Sequence, residues 1–143
     1  MRRGRRWMLG SLLLCGLLLS ACAHLPEEEE ELNQPATLEA IDGSDVSRIT
    51  LTEQAVERVD IQAAPVVDTA SGTAIPYAAV FYTADGETWT YTNPEPLTFV
   101  RVPVVVDRIR GDRAFLSDGP PPGMEVVIQG ASELYGTETD VEE

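Results

Sequence analysis

Ala74-Ile75-Pro76-Tyr77-Ala78-Ala79-Val80-Phe81-Tyr82-Thr83-Ala84-Asp85-Gly86-Glu87-Thr88-Trp89-Thr90-Tyr91-Thr92 is the stretch that decides the fold. Ile75, Tyr77, Ala79 and Phe81 alternate with Pro76, Ala78, Val80 and Tyr82, the period of two expected of a β-strand. Asp85-Gly86 follows, a pair suited to tight hairpin turns because glycine takes the positive φ they need. On the return run, threonines alternate with Trp89 and Tyr91, side chains that fit a pleated, half-buried surface. The stretch predicts a hairpin that carries the largest apolar groups of the domain and seeds its core.

Outward from this hairpin, β-prone runs alternate with turn chemistry. Upstream, Arg48-Ile49-Thr50-Leu51 leads to Thr52, a good helix N-cap, with Glu53 at the positive end of the helix dipole. Ala55, Val56 and Val59 give that short helix one apolar face before it ends near Asp60. Ile61 to Val67 returns to strand character, with Pro65 at an edge or at the start of a strand. Asp68-Thr69-Ala70-Ser71-Gly72 is a turn. Downstream, Asn93-Pro94-Glu95-Pro96 breaks the sheet and Leu97 to Asp107 reads as one long strand. Arg110-Gly111-Asp112 reverses the chain into Ala114-Phe115-Leu116-Ser117. That tripeptide invites an adhesion reading, but Gly-Asp at a hairpin tip is ordinary turn chemistry. Asp118-Gly119-Pro120-Pro121-Pro122-Gly123 is a stiff break, and Glu125 to Gln129 is the last clear strand. About six to seven short strands and one short helix, with regular turn signals, predict a mainly β domain, a small antiparallel barrel or sandwich. We assign it to residues 47–135, with an acidic tail over 136–143.

The N-terminal part has a different composition. The chain has 143 residues and ten basic side chains, all arginine; Arg2, Arg3, Arg5 and Arg6 precede the apolar run Trp7 to Leu19. A positive start, a short apolar segment and small residues at its end make a secretory signal. As a helix the run would rise only about 20 Å, short of the roughly 20 residues a permanent span needs. Leu19-Ser20-Ala21-Cys22 matches the lipobox at which bacterial lipoproteins are cut and lipidated, so residues 1–21 read as a signal peptide and Cys22 as the lipid-bearing residue. An ordinary signal ending near a cysteine is the alternative, and Arg5-Arg6-Trp7-Met8-Leu9 also fits a twin-arginine export pattern. The span 22–46, with its run Glu27 to Glu31, reads as an acidic flexible tether, since blocks of like charge resist compaction.

Composition excludes several function classes. Without the leader, six arginines face 24 carboxylates, a net charge of −18. Such a body repels phosphate backbones and anionic lipid head groups, which argues against nucleic-acid binding. With Cys15 in the leader and Cys22 lipidated, no thiol remains for a disulfide, a metal or a nucleophile. His24, the one histidine, lies two residues from the lipidated position. No Ser-His dyad, zinc ligand set or phosphate-binding glycine loop is present. The Glu27–Glu31 run lacks the turning loop and glycine of a calcium site. Carboxylate pairs for glycoside hydrolysis cannot be dismissed by counting, yet none sits in an apolar context. The expectation is a protein with no catalytic residues, cofactor or metal.

Four motifs in order carry a resemblance. They are Leu51-Thr52-x-x-Ala55-x-x-x-Val59-x-Ile61 leading to Ala64-Pro65-Val66; Ile75-Pro76-x-x-Ala79-Val80 followed by Asp85-Gly86-x-x-Trp89; Arg101-x-Pro103-Val104-x-Val106 before Gly111-Asp112; and Gly119-x-x-x-Gly123-x-x-Val126-Val127-x-x-Gly130-Ala131. This order resembles the membrane-proximal β-domain of periplasmic adaptor (membrane-fusion) proteins of resistance–nodulation–division efflux pumps. A full adaptor adds a β-barrel, a lipoyl-like domain and usually a long helical hairpin, for which this chain has neither heptads nor length. Pro120 stands where the family often has leucine. The resemblance implies a β-domain in the cell envelope, docked to a transport or other envelope protein. The expected function is therefore a lipid-anchored, extracytoplasmic, non-catalytic docking module, accessory to transport or efflux. The alternative is an extracytoplasmic ligand- or cation-binding lipoprotein.

Overall fold

The computed structural model describes residues 34–139. Among them, in chain order, lie β1 (Ala36–Ala40), β2 (Ser47–Leu51), α1 (Glu53–Val59), β3 (Gln62–Pro65), β4 (Val67–Thr69) and β5 (Gly72–Pro76). A 3-10 turn (Tyr77–Ala79) leads to β6 (Phe81–Tyr82), β7 (Thr88–Glu95), β8 (Thr98–Pro103) and β9 (Val105–Arg110). Then come β10 (Arg113–Asp118), β11 (Glu125–Gln129) and α2 (Ala131–Thr139). The larger sheet has seven strands, in the order β1-β2-β8-β7-β11-β3 with β6 also on β7; the smaller has four, β4-β5-β10-β9. The fold is mainly β, antiparallel and sandwich-like, and no barrel closes.

Prolines mark where the chain changes sheet. It passes from the large to the small sheet after Pro65, back after Pro76, across again after Pro103, and back through Pro120-Pro121-Pro122. Proline has no N–H to donate to a continuing ladder, so a strand that reaches one ends or turns away. At two crossings the next residue is a valine sunk between the sheets, Val66 and Val104. Their amides remain bonded, Val66 to the Met124 carbonyl at 2.8 Å and Val104 to the Thr88 carbonyl at 3.0 Å. The expected single strand over Leu97 to Asp107 is thus two strands in different sheets, divided at Val104.

The decisive hairpin is modified in the same way. Its Asp85-Gly86 turn stands, and Phe81 and Tyr82 pair with Trp89 and Thr88. The incoming strand, however, is cut by Pro76 and the 3-10 turn, and β5 belongs to the small sheet. Asn93-Pro94-Glu95 does not break the sheet: β7 runs through it as a bulge, with the Asn93 amide donating to the Glu95 and Thr98 carbonyls. The start of α1 is as expected, with the Thr52 hydroxyl accepting from the Ala55 amide at 3.2 Å.

Two elements lie where no strand or helix is expected from the sequence. Part of the span read as tether forms β1, which pairs with β2 from Ala36↔Leu51 to Ala40↔Ser47. The acidic tail is helical as far as Thr139. Gly136, Thr137 and Thr139 are poor helix formers, so packing rather than propensity holds that turn.

The interior has two parts. Ile49, Leu51, Tyr91, Phe99 and Val127 of the large sheet pack against Ala55 of α1 and Leu134 of α2. Val66, Ile75, Ala79, Val104, Ala114 and Leu116 gather with Val126 on the side of the small sheet. Adjacent residues of β11, Val126 and Val127, are both fully buried and point into different clusters. That strand is therefore apolar on both faces.

Candidate functional site

The polar centre of the domain lies under α2. Tyr91 on β7 stands directly opposite Arg101 on β8, so both project from one face of the large sheet. One helical turn beyond Leu134, α2 brings Glu138 onto the same face. The Arg101 Nε–H donates to Glu138 Oε1 at 3.0 Å, and the Tyr91 hydroxyl donates to Glu138 Oε2 at 2.5 Å. The Ser47 amide donates to Oε1 at 2.9 Å, and Arg101 Nη2 donates to the Asp45 carbonyl at 2.9 Å. The guanidinium also lies 4.6 Å from the centre of the Trp89 ring, in cation–π contact. The side chains of Arg101 and Glu138 keep only 9% and 3% of their exposure. These bonds join β2, β7, β8 and α2 through a single carboxylate.

This arrangement sets the ionisation of its members. Burial first, and then the Glu138 carboxylate it donates to, push the Tyr91 phenol far above its usual range. For Arg101, burial alone favours the neutral form, but the hydrogen bond and charge of Glu138 outweigh it and raise the pKa. The cluster is thus an ion pair with a neutral phenol donor, an arrangement that ties α2 to the large sheet. Because the folded pKa of Tyr91 is raised, its contribution is complete below the unfolded value of about 10 and falls as pH rises above it. Between pH 9 and 11, stability should therefore fall with a steeper slope in the native protein than in Tyr91→Phe, by at most about 1.4 kcal/mol per pH unit. Urea unfolding across that range measures the difference, and equal slopes would contradict it.

Beside this cluster an aromatic recess opens to solvent. Both β6 and β11 pair with the same strand, β7, and Ala131, Ser132 and Tyr135 of α2 line the recess beside them. The recess has a volume of about 350 Å³ and is lined by Phe81, Tyr82, Tyr135 and Ile128, with Gln129 and Ser132 as polar groups. Such a volume lies at the low end of small-ligand sites. Phe81 stacks on buried Tyr91 with ring centres 5.3 Å apart, and meets Tyr135 at 5.6 Å. The Gln129 amide is held by Asp60, at 2.6 Å from its carboxylate. At the rim, the Tyr77 and Tyr82 hydroxyls are 3.4 Å apart, and that contact, with slight burial, raises the Tyr82 pKa. Tyr82 is 54% exposed and Tyr77 38%. A second, smaller groove of about 200 Å³, lined by Pro35, Ala36, Leu51, Ala55, Val59 and Leu134, lies between the two helices and β1.

Cys22, the lipidation residue expected from the sequence, lies outside the described residues, as do His24 and Glu27 to Glu31. Among the described residues, no group of three or more His, Cys, Asp or Glu side chains comes together. No described helix is long and apolar enough to cross a membrane. Sequence reading missed both Glu138, placed in the tail, and the role of Arg101, known only as part of a motif. An isolated arginine within a β-run was the available signal, since an inward-facing charge there demands a partner. The chain matches no protein-family model, no curated protein and no solved structure.

Proposed function

We propose that the protein is an extracytoplasmic lipoprotein, anchored through Cys22, whose β-domain is a non-catalytic docking module for an envelope or transport protein. The observation that carries this reading is the exposed Tyr77–Tyr82 pair at the rim of a recess whose floor is rigid. Tyr82 neighbours Phe81, and Phe81 stacks on Tyr91, which is fully buried and bonded to Glu138. Exposed tyrosines on a preordered base are the residues that dominate protein interfaces, because they bury large area at little cost in conformational freedom. The lipobox and the ordered adaptor-like motifs supply the compartment and the kind of partner. Chemistry at the buried carboxylate is disfavoured, because every Glu138 oxygen is already engaged by a donor.

The test places a photo-crosslinking residue at Tyr82 and, as a control, at Glu95 on the exposed end of β7. A discrete envelope adduct from position 82 that is absent from position 95 is expected. Equal labelling at both positions would defeat the docking reading. The anchor is tested in the same cells: Cys22→Ser should shift the protein to soluble fractions or leave the precursor uncut. A variant that still fractionates as mature membrane protein would remove the anchor from the reading.

A further inference from the structure

The arginines of this acidic protein are unevenly distributed in space. Outside the leader there are six, against 24 carboxylates, and three of the six lie on the β9–β10 hairpin. Arg108 and Arg110 are two apart on β9 and so share a face. In the register, Arg110 stands opposite Arg113 and Arg108 opposite Phe115. Opposed residues of an antiparallel pair project from the same face, so all three guanidinium groups belong to one face of the hairpin. Arg108 is engaged, 2.7 Å from Asp107 and 4.4 Å from the centre of the Phe115 ring. Among the described residues, Arg110 and Arg113 form no ion pair, and both are exposed.

Like charges set directly opposite in a ladder are destabilising. The fold keeps such a pair although its surface is rich in carboxylates that could neutralise it. The hairpin also carries Asp107, Asp112 and Asp118, so its net charge is zero. Asp107 is spent on Arg108, Asp112 sits at the turn, and Asp118 lies at the far end of β10 opposite Val105. Arg110 and Arg113 therefore share the tip of an edge hairpin with Asp112 alone, which leaves one net positive charge there.

We propose that this face docks the domain onto the anionic phospholipid head groups of the membrane that carries its anchor. The proposal rests on the anchor reading of Cys22. Guanidinium forks match phosphate oxygens in geometry as well as charge. An arginine at an anionic surface favours the docked state by roughly five-fold, and independent contributions multiply. The acidic body as a whole repels anionic head groups, so docking requires this face to turn toward the lipid; at physiological salt the charges then more than about 8 Å from the surface are largely screened. Tethering supplies the high local concentration that makes such weak contacts count. The domain would then lie with this hairpin toward the lipid.

The experiment uses the lipidated mature protein in nanodiscs of phosphatidylcholine alone or mixed with phosphatidylglycerol. Ser117→Cys, exposed and on the face of β10 that carries Arg113 and Phe115, carries a fluorophore, and the lipids carry a spin-label quencher. Quenching is expected to be several-fold stronger in the anionic discs, to fall as salt is raised, and to drop to the neutral-disc level in Arg110→Gln/Arg113→Gln. That double variant removes a like-charge pair, so its thermal unfolding should not be impaired. Co-elution with the discs but equal quenching in both lipids would overturn docking while leaving the anchor intact. Failure to co-elute with either disc would defeat the anchor reading itself, and the docking with it.

Discussion

Glu138→Ala is expected to lower the unfolding free energy by about 3 kcal/mol, although the residue lies in a short, threonine-rich terminal helix. Breaking a buried ion pair at one partner typically costs about 3–5 kcal/mol, because the remaining charge is left buried and uncompensated. Arg101 cannot escape by losing its proton, since guanidinium stays charged in proteins. Tyr91 and the Ser47 amide lose their acceptor as well. The lower end of the range applies because the last turn of α2 can lift and admit water to the guanidinium. Glu138→Gln keeps acceptor capacity but not the charge, and should cost about half as much. Arg101→Met/Glu138→Leu should recover most of the loss, as well-packed apolar replacements of buried ion pairs often do. Urea unfolding of the three variants measures these differences. An Ala variant within about 0.5 kcal/mol of the parent, the range of ordinary surface substitutions, would mean that Glu138 does not hold α2 in solution.

Gly72→Ala is expected to destabilise the small sheet by about 3–5 kcal/mol, adding backbone strain to overpacking. Gly72 opens β5 at φ +129°, a conformation that residues with a Cβ rarely adopt. A Cβ there would also fall well inside contact distance of the Leu116 carbonyl oxygen on β10. That obstacle is backbone within the β5–β10 ladder, so it cannot rotate away as a side chain could. Gly86→Ala is the informative comparison. Gly86 also has a positive φ, +87°, but nothing lies within 4 Å of the new methyl. It should cost only about 1–2 kcal/mol, the strain of the left-handed backbone alone. Thermal unfolding of the two variants separates the contributions, and equal losses would show that the close approach to Leu116 does not matter.

Local chemistry in the sequence accounts for much of the secondary structure. Thr52, Glu53 and Asp60 bound α1 as read, and Asp85-Gly86 makes its turn. Arg110-Gly111-Asp112 joins β9 to β10, and the proline-rich segment separates β10 from β11. Each of these signals acts within a few residues, through φ preference, a missing N–H or a capping hydroxyl. Alternation was a weaker guide where both faces of a strand are covered. Val126 and Val127 are both buried, and a run of apolar residues cannot say into which cluster each one points. It also misled over Ile75 to Tyr82, where a regular pattern spans two strands in different sheets and leaves Tyr77 and Tyr82 exposed.

What the sequence alone determined is the mainly β class and most of the turns; that strands stop at Pro76 and Pro103 but run through Pro94 emerged only from the two sheets. What only the tertiary structure decided is which strands meet and which polar groups pair. Arg101 and Glu138 are 37 residues apart, and Tyr91 and Glu138 are 47 apart. No local preference links them. Glu138 sits in a helix of weak propensity, and its carboxylate meets the charge of the buried Arg101 there. Likewise Arg110 reads only as part of a turn, and the register sets Arg113 opposite it on an edge hairpin. Bonds between neighbours in the chain are written in residue preferences. Partners distant in the chain are chosen by the low-dielectric interior, where an unpaired charge is too costly to leave alone.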